Sequence, residues 1–513
     1  MNPLFTLRIL SLLVTASARL VTEDLSGFLA KLSERIRTSD NPVLSRIPSA
    51  PLSRIAPAQT PAREITNRGE LSEGIALIDA QGGKASRSDR HLAQRTRERL
   101  EQLRVQPPAP VAQSSTAAPP EHRVLHVLTN SLPYTHSGYT LRSHNVLKAI
   151  QQTGIPVHAV TRLAYPVLVG KFPDTETQTI GGISYERLLP WSYPLSLQDR
   201  DDLAVEMIVE RARAFGATVL HTTTDFKNAI VTSRAAEHLG IPWVYEVRGE
   251  LESTWLSRQP AELQERAQQS EFYQLARSQE TRYAQAANAV VTLSEISKQQ
   301  LIDRGIEAGK IHVVPNAVDE QFIGRKFDRS AIRRELGLPD VPLVGSVTAV
   351  VDYEGLDTLI QSLQYLPAGS KVLIVGEGTA RPALEELTAS LGLDDRVIFA
   401  GRKPQNEIWK WYAALDLFVV PRKDTQVCRT VTPIKPLMAQ SLGIPVVASE
   451  LPALREVTGG FAEYVAPENA ETLAKGISTA LHRKDLSSET NQWIRSRTWR
   501  MNGTRYRELY GSF

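Results

Sequence analysis

A chain of 513 residues, 42% hydrophobic and 22% charged, is too long for one ordinary domain and has the apolar content for large cores, so two or three globular domains are expected. The formal charge of +3 provides no basic field to recruit nucleic acid, and no acidic run acts as a solvating tail, so the expected partner is small or local. A single cysteine, Cys428, excludes an intrachain disulfide framework and a cysteine-based zinc site, and it suits a reducing compartment, with the cytoplasm as the default.

In chain order, the first feature is a decoy. ILSLLV at 9–14 followed by Ala16-Ser17-Ala18 imitates a signal peptide, yet the apolar run is short and Arg8 and Arg19 bracket it closely. No uninterrupted stretch reaches bilayer length, which leaves an amphipathic helix on the inner face of a membrane as the open alternative to a freely cytoplasmic chain. Residues 1–121 then combine helical patterns, LSGFLAKLSERI and HLAQRTRERLEQLR, with Pro- and Ala-rich stretches such as VQPPAPVAQSSTAAPPE. This composition reads as a loosely ordered extension in preference to a docking arm.

From Val124 the texture changes. Short apolar runs (VLHVLT, VHAV, VLHT, WVYEV, AVVTL, IHVV) alternate with longer amphipathic stretches, and a second series follows: PLVGSV, KVLIV, RVIFA, DLFVV and IPVVA. Continuous apolar strands point to sheets buried on both faces, and the strand–helix rhythm points to right-handed parallel winding. The expected fold class is α/β with two Rossmann-like doubly wound domains, 122–317 and 318–485, meeting near VVPNAVD at 313–319, and a last segment 486–513.

Open parallel sheets bind ligands beyond the carboxyl ends of their strands, so the residues after each apolar run are the candidates. Arg422 follows DLFVVP, and Lys435 opens the helix pattern KPLMAQSLG, two cations suited to a diphosphate. Gly376-Glu377-Gly378 forms a strand–turn–helix junction but lacks the third glycine of a dinucleotide fingerprint, which disfavours an NAD oxidoreductase. Gly138 stands between a strand and a helix in the first domain. Asp199-Arg200-Asp201 matches a D-x-D pattern but follows no strand and reads as helix capping, and the histidines show no zinc spacing, so no metal is expected.

Taken together, residues 122–511 resemble the family 4 retaining glycosyltransferases of GT-B fold. The resemblance is carried by HSG at 136–138, GIPWVYEVRGELE at 240–252, VTLSEISKQQL at 291–301, VVPNAVD at 313–319, VDYEGLDTLIQSL at 351–363, FAGRKPQNEI at 399–408 and IPVVASELPALREV at 444–457. It implies two domains facing a central cleft, a nucleotide diphosphate-sugar donor on the C-terminal domain, and a sugar, lipid-linked or small-molecule acceptor on the N-terminal one. It implies neither metal nor cofactor, and WRMNGTRYRELY at 499–510 looks like the family's last helix, which crosses back to the first domain. By the same resemblance Arg422, Lys435 and Arg248 are the catalytic candidates. Ser346, Glu354, Gly376, Gly378, Arg402, Thr432 and Met438 are the donor-binding ones, and Gly138, Tyr139 and His144 form the acceptor or phosphate loop. The chain departs from the family where Thr430 and Met438 replace the two acids of an E-x7-E pattern, where Ser346 and Glu354 replace an Arg and a Lys, and where Arg248 replaces a His. The expected activity is retaining transfer to an acceptor hydroxyl. The alternative is a weak or inactive scaffold that binds a nucleotide-sugar or a partner protein, with a nucleotide-sugar epimerase a more distant third.

Overall fold

The computed structural model describes residues 3–16, 60–111, 121–482 and 487–513, and resolves into two compact units. The first unit comprises Met1–Val291, Arg304–His312 and Arg507–Phe513, and the second comprises Thr292–Asp303 and Val313–Tyr506. The seam therefore differs from the sequence expectation: residues 292–303 and 313–317 belong with the second unit. One reason is local, since Glu456 accepts hydrogen bonds from the Glu295 and Ile296 backbone N–H groups at 2.7 and 3.3 Å, which ties the helix Glu295–Asp303 to the second unit.

The first unit carries an eight-stranded sheet. Its strands are β1 (Val124–Leu128), β2 (Val157–Thr161), β3 (Thr177–Ile180), β4 (Ile183–Arg187), β5 (Val219–Thr223), β6 (Trp243–Glu246), β7 (Ala289–Thr292) and β8 (Ile311–Val313). They lie in the order β3-β4-β2-β1-β5-β6-β7-β8. The hairpin β3–β4 is antiparallel, whereas β1, β2, β4, β5, β6 and β7 pair in parallel. Every residue of β1 and β5 is buried, as unbroken apolar strands covered by helices on both sides require. The order reverses between β1 and β5, which creates a crevice beyond their carboxyl ends.

The N-terminal extension is more structured than its composition suggests. Residues 3–16 are helical, with Ile9, Leu12 and Ala16 buried and Arg8 paired to Glu176 at 3.0 Å. The helices Pro61–Asn67, Leu71–Ala80 and Arg87–Arg104 belong to the same unit, where Gln279 donates to the Gln102 and Val105 carbonyls at 3.0 and 2.8 Å. The charged sequence of the third helix hides an apolar stripe, Leu92, Ala93, Leu100 and Leu103, which is buried and accounts for the order. LSGFLAKLSERI lies outside the described residues. No helix among the described residues is long and apolar enough to cross a membrane.

The second unit has six strands: β9 (Leu343–Val347), β10 (Lys371–Val375), β11 (Val397–Gly401), β12 (Leu417–Val420), β13 (Val446–Ser449) and β14 (Glu463–Val465). All are parallel, in the order β11-β10-β9-β12-β13-β14. Alternate residues feed two separate cores: Leu343, Leu373, Phe418 and Val446 on one face, and Val344, Val372, Val419 and Val447 on the other. This is the strand order of a dinucleotide-binding sheet, and its reversal falls between β9 and β12.

One buried acid in the first unit stands apart from any salt bridge. Glu280 accepts the Phe226 backbone N–H at 2.8 Å and the Tyr245 hydroxyl, and burial pushes its pKa up to about 8. The folded chain thus holds a proton that an unfolded glutamate sheds near the ordinary value of 4.5, so stability falls as pH rises from about 4.5 to 8. Glu280→Gln, which mimics the protonated form, is expected to raise the melting temperature by several degrees at pH 8 and by little at pH 5 in thermal melts.

Candidate functional site

At the reversal point of the second sheet, Arg422 follows β12 within two residues and is buried at 4% exposure. Its guanidinium grips Glu354 through Nε at 3.3 Å and Nη2 at 2.8 Å, and donates from Nη1 to the Val431 carbonyl at 3.1 Å. Lys435 reaches the same carboxylate at 3.6 Å, but 30% of its side chain is exposed, against 5% for Arg422. Burial works to raise the Glu354 carboxyl, yet Arg422 and then Lys435 overcome it and hold its pKa below the ordinary value. Burial, outweighing the pull of Glu354, lowers the Lys435 ammonium. Two cations against one carboxylate leave a net positive charge at the strand ends, with Lys435 as its open face. The helix Lys435–Ser441 has only seven residues and Pro436 in second place, so charge, more than helix N–H groups, supplies the attraction for an anion.

The other donor-side candidates divide by what holds them. Ser346 is buried and its hydroxyl is turned into the sheet, onto the Val419 carbonyl. Gly376 has φ +144, and a Cβ there would stand 1.8 Å from the Thr348 carbonyl oxygen, while one on Gly378 would stand 2.1 Å from that of Val350. These two glycines therefore let the loop after β10 lie against the loop after β9, a requirement of the fold independent of any ligand. Thr432 is buried, and its carbonyl accepts from Asn316 at 3.0 Å. Arg402 is exposed just past β11. Met438 is half-buried against the hydrophobic core, and Thr430 spends its hydroxyl on the Gln426 carbonyl at 2.9 Å.

In the first unit a pocket of about 270 Å³ opens at the β1/β5 reversal, lined by residues that follow β1, β5 and β6 and by the start of the helix Gly138–Gln152. Tyr139 stands at its rim, half exposed, with its hydroxyl 3.4 Å from the Arg248 carbonyl. Arg248 contributes to the wall, but its side chain is only 2% exposed. It donates to Glu246 at 2.8 Å and to Ser143 at 2.7 Å. Direct contact between this guanidinium and a reacting group, expected from the sequence, does not fit that burial. Behind it, Glu246 also binds Arg142 at 2.9 Å and lies 3.4 Å from His221, which bonds the Tyr510 hydroxyl at 2.7 Å and stacks on His126. Burial works to raise the Glu246 carboxyl, but Arg248 and Arg142 hold it well below the usual range, and burial lowers His221.

His144 does not join this pocket: its Nδ1 lies 2.9 Å from the Tyr185 hydroxyl, on β4. Asp199 sits in a helical turn capped by Ser196, and Asp201 takes a hydrogen bond from Gln102 at 3.0 Å. Among the described residues no group of three or more His, Cys, Asp or Glu side chains is placed to hold a metal ion. Sequence reasoning missed Glu246, Asp225 and Glu250, although each lies at or just beyond the end of β5 or β6 where the strand-end rule looks.

The glycines give a discriminating test. A Cβ on Gly138 would meet nothing within 4 Å. Gly138→Ala is thus expected to change stability by no more than about 1 kcal/mol, whereas Gly376→Ala should cost on the order of 3 kcal/mol, measured by urea unfolding.

Residues 137–317 match the model described as "Glycosyl transferase 4-like domain", and residues 328–497 match "Glycosyl transferases group 1". Among curated relatives, the D-inositol 3-phosphate glycosyltransferase of Xylanimonas cellulosilytica is 31% identical over 183 residues, 34% of this chain and 43% of that one. The lipopolysaccharide core biosynthesis mannosyltransferase LpsB of Rhizobium meliloti is 33% identical over 161 residues, 29% of this chain and 44% of that one. The chain thus spans less than half the length of these relatives. In fold it is similar to the sucrose-phosphate synthase of Thermosynechococcus elongatus (TM-score 0.56, 19% identity) and to Anabaena HepE in complex with UDP and glucose (TM-score 0.56, 18% identity), each match covering 76% of this chain and 100% of the other. With residues 137–317 and 328–497 matched in turn by these two family models, the chain belongs to the group 1 glycosyltransferases and has the GT-B fold.

Proposed function

We propose that the chain is a glycosyltransferase that moves a sugar from a nucleotide diphosphate-sugar to an acceptor hydroxyl with retention of anomeric configuration, in the cytoplasm and without a metal. The observation that carries this reading is the cation pair at the β9/β12 reversal, Arg422 locked by Glu354 and Lys435 partly open beside it. As the bond from the anomeric carbon to the diphosphate lengthens, negative charge grows on the leaving oxygen, and fixed cations stabilise it without reorganising. Glu354 is committed to both cations and so is a poor nucleophile. The reading therefore takes a front-face displacement: the acceptor oxygen bonds the anomeric carbon on the face the diphosphate leaves, and the departing phosphate oxygen takes the acceptor's proton. The second unit holds the donor, and the pocket of the first unit holds the acceptor.

A second reading, a weak or inactive scaffold that binds a nucleotide-sugar or a partner, is favoured by one observation. Thr430 and Met438 supply no carboxylate for a ribose, and Met438 leans on the core. Incubation with a panel of nucleotide-sugars and measurement of nucleotide release separates the two, because release by the wild type that is lost in Lys435→Ala supports transfer. No release with any donor, despite nucleoside diphosphate binding, supports the scaffold.

Lys435→Ala is expected to weaken nucleoside diphosphate binding at least about tenfold in calorimetric titration, while the melting temperature holds within a few degrees because the side chain is partly exposed. Met438→Glu is expected to tighten the same binding by roughly tenfold, the worth of one charge-assisted hydrogen bond to a ribose hydroxyl. A lower melting temperature with unchanged affinity would remove residue 438 from the donor site.

A further inference from the structure

The charge that the first-unit pocket shows to a ligand is opposite to what its one arginine suggests. Among the described lining residues, Arg248, Asp225 and Glu250 are the charged ones. The Arg248 side chain is 2% exposed and consumed by Glu246 and Ser143, whereas the carboxylate-bearing side chains of Asp225 and Glu250 are 28% and 32% exposed. Both acids have partners that leave them accessible. Asp225 caps the helix Phe226–Leu239 through the Lys227 N–H and meets the exposed Lys227 ammonium at 3.2 Å. Glu250 bonds Arg304 and accepts from the Ser253 hydroxyl at 2.6 Å. The remaining polar lining is neutral, dominated by hydroxyl groups such as those of Thr129, Thr224 and Thr254, the last of which donates to the Glu250 carbonyl at 2.9 Å and retains its acceptor side, with the Asn130 amide.

Hydroxyls and an amide match the alternating donors and acceptors of a polyol ring, and a volume of about 270 Å³ is at the small end for a ligand site, which suits one ring. A phosphate entering there would meet two partly exposed carboxylates, and the nearest cations outside the lining, Lys227 and Arg304, are already paired to those acids. An ammonium group would meet the opposite: two acids within one small pocket. Resting on the glycosyltransferase reading, in which this pocket receives the acceptor, we infer that it selects an acceptor ring bearing an amino group over a ring of the same size bearing a phosphate.

Three six-membered carbocyclic polyols isolate the effect of charge: 2-deoxystreptamine, cationic; myo-inositol, neutral; and myo-inositol 1-phosphate, anionic. Titrated by calorimetry or ligand-observed NMR against the full chain saturated with a nucleoside diphosphate, the aminocyclitol should bind at least about tenfold tighter than myo-inositol, and the phosphate more weakly than either. Asp225→Asn retains a good helix cap and Glu250→Gln retains the Ser253 contact, so both variants should fold, as thermal melts will check. Each should shrink the ratio of amine to myo-inositol affinity severalfold. Phosphate binding equal to or tighter than amine binding overturns the inference, as does an amine preference unchanged in both variants, or no binding of any of the three at millimolar concentration. Failure of the glycosyltransferase reading would show elsewhere, as no nucleotide release from any nucleotide-sugar, or as release that Lys435→Ala leaves unchanged.

Discussion

A buried carboxylate set between two cations recurs at the reversal point of each sheet, and the chemistry of each unit turns on how it is balanced. In the second unit Glu354 fixes Arg422 by two hydrogen bonds and draws in Lys435, and the pair it organises keeps one open cation. In the first unit Glu246 does the same with Arg142 and Arg248, whose side chains are 6% and 2% exposed, so the charge is sealed inside. Removing Glu246 would leave two like charges buried side by side, and removing Glu354 would leave the buried Arg422 without its partner, each among the costliest kinds of single change in a folded chain. The two clusters share a plan and present different faces, one with a partly exposed cation and the other sealed behind a pocket wall.

Much of this was legible in the sequence, and for a physical reason. Strands buried on both faces cannot alternate polar and apolar residues, so KVLIV, DLFVV and IPVVA announce a parallel sheet, and the strand-end rule then singles out Arg422 and Lys435. The pairing itself was not legible. Glu354 is 68 residues from Arg422, and Arg142 is 104 from Glu246; nothing local marks such partners. For the same reason the sequence, which offers Arg248 as a catalytic candidate only through the resemblance, gives no sign that its guanidinium is turned inward onto Glu246 and Ser143.

The glycines carry a second, local reason. Gly376 and Gly378 read as a ligand loop because a glycine pair after a strand is the pattern of close backbone approach, and the approach is real. What comes close is the chain's own loop after β9. The N-terminal extension misled through composition: in its helix Arg87–Arg104 arginines and glutamines outnumber the apolar residues, yet Leu92, Ala93, Leu100 and Leu103 at helical spacing give it a buried stripe.

Tyr510 has a bearing on how the chain acquires this structure. Its hydroxyl closes the His221 side of the Glu246 cluster, and residues 507–513 are counted with the first unit although the 313–506 segment intervenes in sequence. During synthesis the first sheet can form from residues emerging early, but its innermost polar group goes without this partner until the whole second unit has been made. A separation of 289 residues makes this among the most non-local bonds in the chain, the class that forms late and is most exposed to interruption. Premature termination or a bulky fusion near residue 510 would thus be felt first 289 residues upstream, in the interior around His221 and the Glu246 cluster beside it.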